Sequence, residues 1–380
     1  METVKGFRDF SGEEALKRET TVNIISKNFK SYGFEPAETP IVEYEEFVRG
    51  NNTNDETVSD IYKLEDKGKR KLALRYEFTF QLKRLASNKK LPYKRYQIGA
   101  VFRDEPATSN RFRQFTQCDA DIIGSTIKDE AEILTMADKI MKELGIKGII
   151  YINNRKLLNE ILEEQKIKQK EQVLREIDKF DKLSEKELKE NLKKLDAEKI
   201  LEILKKPESF FKKYNSYKEI EELKEYCEMF STKIIFQPYL VRGLSYYNGS
   251  VFEIKTAEIK ETIIAGGSYL VNAVQSTGIS FGLDRISNVS EIKSKEDKYL
   301  IISIGQDKEA VKLAEKLREK EKAVNLFFGK VSKALDYANS YGIGKVIFLG
   351  EDEIKKKKLK IRDMKSGKEE AISEKELFKN

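Results

Sequence analysis

The sequence predicts a mixed α/β protein, and three features predict it. An alternating run reads as half of an antiparallel hairpin, a glycine-free stretch rich in Lys and Glu reads as short amphipathic helices, and the C-terminal part alternates strands with helices. At 380 residues the chain is long enough for two or three domains with cores of their own. In chain order, residues 13–32 read as an amphipathic helix ending near Tyr32-Gly33. Residues 34–42 read as an extended segment in which Pro40 suits an edge or an interface. The hairpin follows. Arg103 and Glu105 precede its turn, and from Arg111 to Ile123 the residues alternate, so a strand puts Arg111, Arg113, Phe115, Gln117, Asp119 and Asp121 on one face. Ile133, Leu134, Ala137, Ile140, Met141 and Leu144 form a helical stripe closed by Gly145.

From about Asn154 to Phe230 glycine is absent and proline occurs once, at Pro207. Ile161, Val173, Leu174, Ile177, Phe180 and Leu183 suggest short helices with highly charged outer faces. Strand character returns at 233–236, and residues 291–298 are charged and turn-like, as a linker is. Strand (299–304), helix (310–319), strand (323–328), helix (331–341) and strand (346–349) then make a small α/β unit.

Composition narrows the chemistry. The chain has no histidine, which removes a Ser-His-Asp triad, a histidine general base and a histidine metal ligand. Two cysteines, Cys118 and Cys227, are too few for a disulfide framework or a structural zinc site. With no apolar run after Met1 and none approaching a membrane span, a cytoplasmic protein with no membrane association is expected. The net charge of +7 suits a polyanion partner, and equally a mixed solvated surface. The hairpin face is more specific. Arginine forks fit phosphate oxygens and an aromatic ring fits a base, so the face can hold a nucleoside triphosphate, although a solvated hairpin laced with salt bridges gives the same alternation.

The hairpin residues Phe102-Arg-Asp-Glu105 and Arg111-Phe-Arg-Gln-Phe-Thr-Gln117 resemble motif 2 of the class II aminoacyl-tRNA synthetases. Leu240-Val-Arg-Gly-Leu-Ser-Tyr-Tyr247 is similar to the signature of the histidyl family within that class. Leu74-Arg-Tyr-Glu-Phe-Thr79 resembles the family's amino-acid-binding strand, Gly278-Ile-Ser-Phe-Gly-Leu-Asp-Arg285 resembles motif 3, and the segment around Pro40 stands where motif 1 forms a dimer interface. The motifs occur in family order. The resemblance implies a class II antiparallel sheet flanked by helices, over residues 1–153 and 231–291. It also implies a helical insertion at 154–230 and an anticodon-binding α/β domain at 298–380. Activity, by the same resemblance, is the ATP-dependent activation of histidine and its transfer to tRNA(His) by a homodimer, with ATP as substrate and Mg2+ held mainly by ATP.

The resemblance also assigns residues. Arg103 and Arg242 are the catalytic pair at the α-phosphate. Arg103, Glu105, Arg111, Arg113, Phe115, Gly282 and Arg285 bind ATP, with Phe115 stacked on the adenine. Glu77, Thr79 and Gln117 take the ammonium of histidine, Asp121 and Tyr247 its imidazole nitrogens, and Tyr246 is a further histidine-binding residue. Asp121 stands where many relatives have glutamate. Three further departures are Ser245 for an aspartate, Gly266-Gly-Ser-Tyr-Leu270 for "GGRYD", and Asn110 for a frequent glycine. They leave room for an alternative, a catalytically inactive synthetase paralogue acting as a regulatory or histidine- or RNA-sensing module.

Overall fold

Eight strands form the central sheet, in the order β1-β5-β6-β11-β10-β9-β7-β8. The computed structural model describes residues 2–50, 60–108, 111–242, 246–292 and 298–378. The departures at Asn110 and Ser245 and most of the expected linker, 293–297, lie outside these residues. The strands are β1 (Glu35–Pro36), β5 (Tyr93–Phe102), β6 (Gln114–Ile123), β7 (Gly148–Asn154), β8 (Ile234–Phe236), β9 (Tyr247–Thr256), β10 (Ile264–Val271) and β11 (Val274–Gly282). Neighbours are antiparallel except at the two edges, where β1 runs parallel to β5 and β8 parallel to β7. The intervening β2 (Val42–Tyr44), β3 (Lys63–Glu65) and β4 (Lys71–Leu74) make a separate small sheet, β2-β4-β3.

Helices cover one face. The helix Gly12–Ser31 inserts Ile25 and Phe29, and Ile127–Glu143 inserts its stripe of Ile133, Leu134, Ala137 and Ile140, all without solvent exposure. Phe29 packs edge-on to Phe281 of β11 and tilted against Tyr96 of β5, so the first helix is keyed to the middle of the sheet. The second helix opens on a capping box between Thr126 and Asp129 and stops before Gly145, whose φ of 71° needs a residue without Cβ. Residues 155–229 fold as six short helices, from Arg155–Glu164 to Tyr217–Met229. Their apolar sides, including Leu158, Val173, Leu188 and Leu223, continue the same core.

Two readings of the sequence need correction. The strand after the turn begins at Gln114 rather than Arg111, because the backbone N–H groups of Arg113 and Gln114 are taken by the carbonyl of Gly6. The segment resembling an amino-acid-binding strand is a strand only as far as Leu74. Beyond it the Arg75 backbone is shared between two segments, its N–H donating to the Ile41 carbonyl and its carbonyl accepting from Phe102, while its guanidinium donates to the carbonyls of Thr39 and Ala100.

The chain divides into two compact units, Met1–Ile292 and Lys293–Asn380. In the second, β12 (Lys298–Ser303) lies between parallel neighbours β13 (Ala323–Phe328) and β14 (Lys345–Leu349). β15 (Leu359–Asp363) and β16 (Glu369–Ile372) extend that sheet antiparallel. Helices Asp307–Arg318 and Val331–Ser340 bury Leu313, Leu317, Ala334 and Ala338 against it.

In the first unit β10 and β11 approach so closely that Gly266 has no space for a side chain. A Cβ there would lie 2.1 Å from the Gly278 carbonyl oxygen and 2.4 Å from the Phe252 ring. Neither the backbone nor the buried ring can retreat cheaply. Gly266→Ala is therefore expected to lower the unfolding free energy by about 1–3 kcal/mol, toward the upper end, as measured by urea denaturation.

Candidate active site

A cavity of about 250 Å³ opens over the polar face of β6, bordered by β9, β10, β11 and the segment after β4. Strand alternation delivers Phe115, Gln117, Asp119 and Asp121 to it. At about 3.3 Å per residue, the row from Phe115 to Asp121 spans roughly 20 Å. β11 runs antiparallel beside this row, pairing Gly282 with Gln117, Ser280 with Asp119 and Gly278 with Asp121.

One end is cationic. Arg103, Arg111 and Arg285 line it with Glu105, Phe115 and Gly282. Arg103 lies 5.1 Å from the centre of the Phe115 ring and donates through Nε to the Tyr76 carbonyl at 3.2 Å. Arg111 pairs with Glu105 at 3.0 Å, and Arg285 donates to the Thr262 carbonyl at 2.8 Å. Burial pulls Arg285 below the usual guanidinium range; Glu261 opposes this, and the like charges of Arg111 and Arg103 add to the fall. Cations that repel one another inside a concave site are arranged for a polyanion. Arg113 is not among the cavity's lining residues. Its guanidinium pairs with Asp104 at 3.2 Å and donates to the Glu105 carbonyl at 3.0 Å, so it braces the turn.

Arg242 lines the same cavity, with its backbone in the left-handed region at φ 50°. Such a conformation is costly for a residue with a side chain and is concentrated at functional sites. Glu253 of β9 holds the guanidinium at 2.5 Å and itself accepts from Thr262 at 3.0 Å. Burial disfavours the charge on Arg242, but Glu253 outweighs it and keeps the guanidinium above its ordinary range.

The other end holds acids and tyrosines. Glu77, Thr79, Gln117, Asp119, Asp121, Tyr246, Tyr247 and Tyr269 line it. The Tyr246 hydroxyl donates to Glu77 at 3.3 Å. Burial pushes Tyr246 and Tyr269 well up and Tyr247 up, so all three keep their hydroxyl protons. Asp121 accepts from the Tyr269 hydroxyl through Oδ1, while Oδ2 lies 2.8 Å from the guanidinium of Arg95 on β5. Arg95 is fully buried, and its Nη2 donates to the Phe78 carbonyl at 3.2 Å. Burial pushes the Asp121 carboxyl up, and Arg95 and Tyr269 oppose that. Gly278 makes the arrangement possible, because a Cβ there would lie 2.1 Å from Asp121 Oδ1.

The structure thus brings together in one cavity Glu77, Thr79, Arg103, Glu105, Arg111, Phe115, Gln117, Asp121, Arg242, Tyr246, Tyr247, Gly282 and Arg285. Of the residues picked out in the sequence, Arg113 alone stands outside the lining. Sequence reasoning missed Arg95, Glu253 and Tyr269. Tyr269 is the tyrosine kept in the altered Gly266–Leu270 segment, a signal that was there to read. At the substituted position, Ser268 is buried and donates to Glu130, whereas Leu270 is exposed. Burial pushes the Glu130 carboxyl up, against the hydroxyls of Ser250 and Ser268.

The histidyl-tRNA synthetase family model matches residues 6–286, about three quarters of the chain. The chain belongs to the histidyl-tRNA synthetase family. An anticodon-binding domain model matches residues 298–380. A relative from Bacillus cereus strain ATCC 10987, named histidine–tRNA ligase 1, is 35% identical over 97% of this chain and 94% of its own length. A histidine–tRNA ligase from Clostridium acetobutylicum is 32% identical over 98% and 97%. The crystal structure of histidyl-tRNA synthetase from Nostoc sp. PCC 7120 superposes with a TM-score of 0.87 at 24% identity, covering 100% of this chain and 98% of that one, so the two share the fold. The mixed fold read from the sequence, an antiparallel-rich sheet with helices and a C-terminal α/β unit, is the family's fold.

Asp121→Asn would leave the Arg95 charge buried beside a neutral amide. Because guanidinium cannot shed its proton, the expected cost is about 3–5 kcal/mol of unfolding free energy, read by urea denaturation of variant and parent.

Proposed function

We propose that the chain is a histidine–tRNA ligase, forming histidyl-adenylate from histidine and ATP and passing the histidyl group to tRNA(His). The observation that carries the reading is the division of one cavity between converging arginines and a row of acids and tyrosines. Activation joins two anions, a carboxylate and an α-phosphate, and expels pyrophosphate. The nucleophile is already ionised, so no general base is needed, and a chain without histidine loses nothing for this step. What the step needs is fixed positive charge.

Arg103 neutralises the carboxylate and α-phosphate as they meet. Arg242, held by Glu253, meets charge that grows at the α-phosphate. Arg111 and Arg285 take the outer phosphates, and Phe115 stacks on the adenine with Glu105 near its amino group. Arg113 supports this end by bracing the turn. Gly282 lets the nucleotide approach the end of β11. At the other end Glu77, Thr79 and Gln117 receive the ammonium, and Asp121, Tyr246 and Tyr247 the imidazole. Asp121 is pre-set for this by Arg95 and Tyr269. An acid and phenols that orient two ring nitrogens reject side chains lacking them.

Magnesium is taken as part of the nucleotide substrate. Among the described residues no three His, Cys, Asp or Glu side chains converge as a metal cage, and the acids at the nucleotide end are tied to arginines: Glu105 to Arg111, Asp284 to Arg18. No step here runs through the metal.

The C-terminal unit is read as the tRNA-anticodon module, with the lysines at 355–358 near RNA, and the helices of 155–229 as an insertion reaching the acceptor arm. A homodimer fits the small sheet, where Tyr44 and Leu64 flank Leu72 from the two neighbouring strands, and Ile41, Val42, Tyr44 and Leu64 are exposed apolar side chains. The cytoplasm is the compartment that supplies both ATP and tRNA. No helix of the described residues is long and apolar enough to cross a membrane.

ATP–pyrophosphate exchange with each of the twenty amino acids tests the reading, and histidine is expected to be the one that supports it. Exchange with proline, threonine or glycine instead of histidine overturns the specificity. Arg242→Ala should cut the exchange rate roughly 10²–10³-fold while the Michaelis constant for histidine moves little. An unchanged rate removes Arg242 from the chemistry.

A further inference from the structure

Asp119 lies on the cavity floor between two residues with assigned work, Gln117 and Asp121, and has none itself. It is 5% exposed, lines the cavity, and its Oδ1 has no hydrogen-bond partner among the described residues. Buried carboxylate oxygens are rarely left unpaired. Its neighbour on the same face shows the same pattern. The Gln117 amide nitrogen is spent on Ser280 at 2.8 Å, and its oxygen, also buried, has no partner among the described residues. Two unsatisfied acceptors at successive same-face positions ask for a donor with several N–H groups.

We propose that Asp119 completes the ammonium subsite, its free Oδ1 accepting one N–H of the substrate's α-ammonium while Gln117 Oε1 and Glu77 accept the others. This rests on the histidine-ligase reading and adds an acceptor to it. Three N–H donors then meet three acceptors, and a full positive charge is set above a floor rich in acids.

A proton should move as a result. Burial pushes the Asp119 carboxyl up to about 8, with Asp121 adding to the rise, Arg95 and Ser280 opposing it, and Glu77 adding slightly. These groups face it from its own strand, from β5, from β11 and from the segment after β4. Near neutral pH the carboxyl of the free enzyme is therefore mostly protonated. An arriving ammonium favours the carboxylate, and the displaced proton passes to the buffer.

Two probes separate the ends of the substrate. L-Histidinol keeps ammonium and imidazole but has no carboxylate; 3-(imidazol-4-yl)propionate keeps imidazole and carboxylate but has no amine. Titration calorimetry of the full chain with each, for the parent and Asp119→Asn, reads the contact. The variant should bind histidinol about 10–100-fold more weakly and imidazolepropionate within about twofold of the parent. Equal losses for both probes, a loss confined to imidazolepropionate, or no loss at all overturns the proposal. A parent chain that binds neither probe overturns the ligase reading, and this inference with it. If the variant does not fold, the parent alone decides. At pH 7.5 in two buffers of different ionisation enthalpy, histidinol should release more protons than imidazolepropionate does, and equal release overturns the assignment.

Discussion

The site is organised around a guanidinium that never reaches water. Arg95 is completely buried in the sheet, cannot lose its charge, and lies 2.8 Å from Asp121. Its Nε and Nη1 have no hydrogen-bond partner among the described residues, so the Asp121 carboxylate carries much of the compensation. From this pair the substrate end of the cavity follows. Asp121 must remain an acid, which fixes where the Tyr269 hydroxyl points, and the space both need forbids a side chain at Gly278. The electrostatics of the fold and the shape of the pocket are therefore one constraint, and a change at either place is felt at both.

Much of this was legible in the sequence because periodicity maps directly onto burial. The C-terminal alternation gave strands and helices within a few residues of those observed, and the polar row from Phe115 to Asp121 does face the cavity. The misreadings share one cause, contacts distant in sequence. Alternation runs on through Arg113, yet the carbonyl of Gly6 claims that backbone and Asp104 claims the side chain. The Arg75 backbone is divided between Ile41 and Phe102, and its side chain between Thr39 and Ala100. Arg95 and Glu253 were invisible for another reason. Each is an ordinary charged residue on a strand, and its importance lies wholly in the distant residue it pairs with. Asp119 was visible as a position on the right face, but which of its oxygens stays unpaired is a three-dimensional fact.

The Gly266–Leu270 segment shows how a motif can change while its surroundings hold. Where relatives carry an arginine, Ser268 meets the buried Glu130, and burial favours the neutral acid. Leu270, in place of an aspartate, faces solvent, where such an exchange costs little. Neither change touches the glycines that let β10 lie against β11.

The left-handed backbone at Arg242 carries a consequence for descent rather than for catalysis. A side chain held in that region costs of order 1–3 kcal/mol, and the ion pair with Glu253 is what the fold sets against it. The residue persists only while selection demands a charge at that point. In a lineage released from the demand, glycine or asparagine there relaxes the backbone but leaves Glu253 without its partner, so the protein gains stability only once that acid is replaced as well. Charge and counter-charge leave together, and once both are gone the arginine is re-entered only against the grain of the fold.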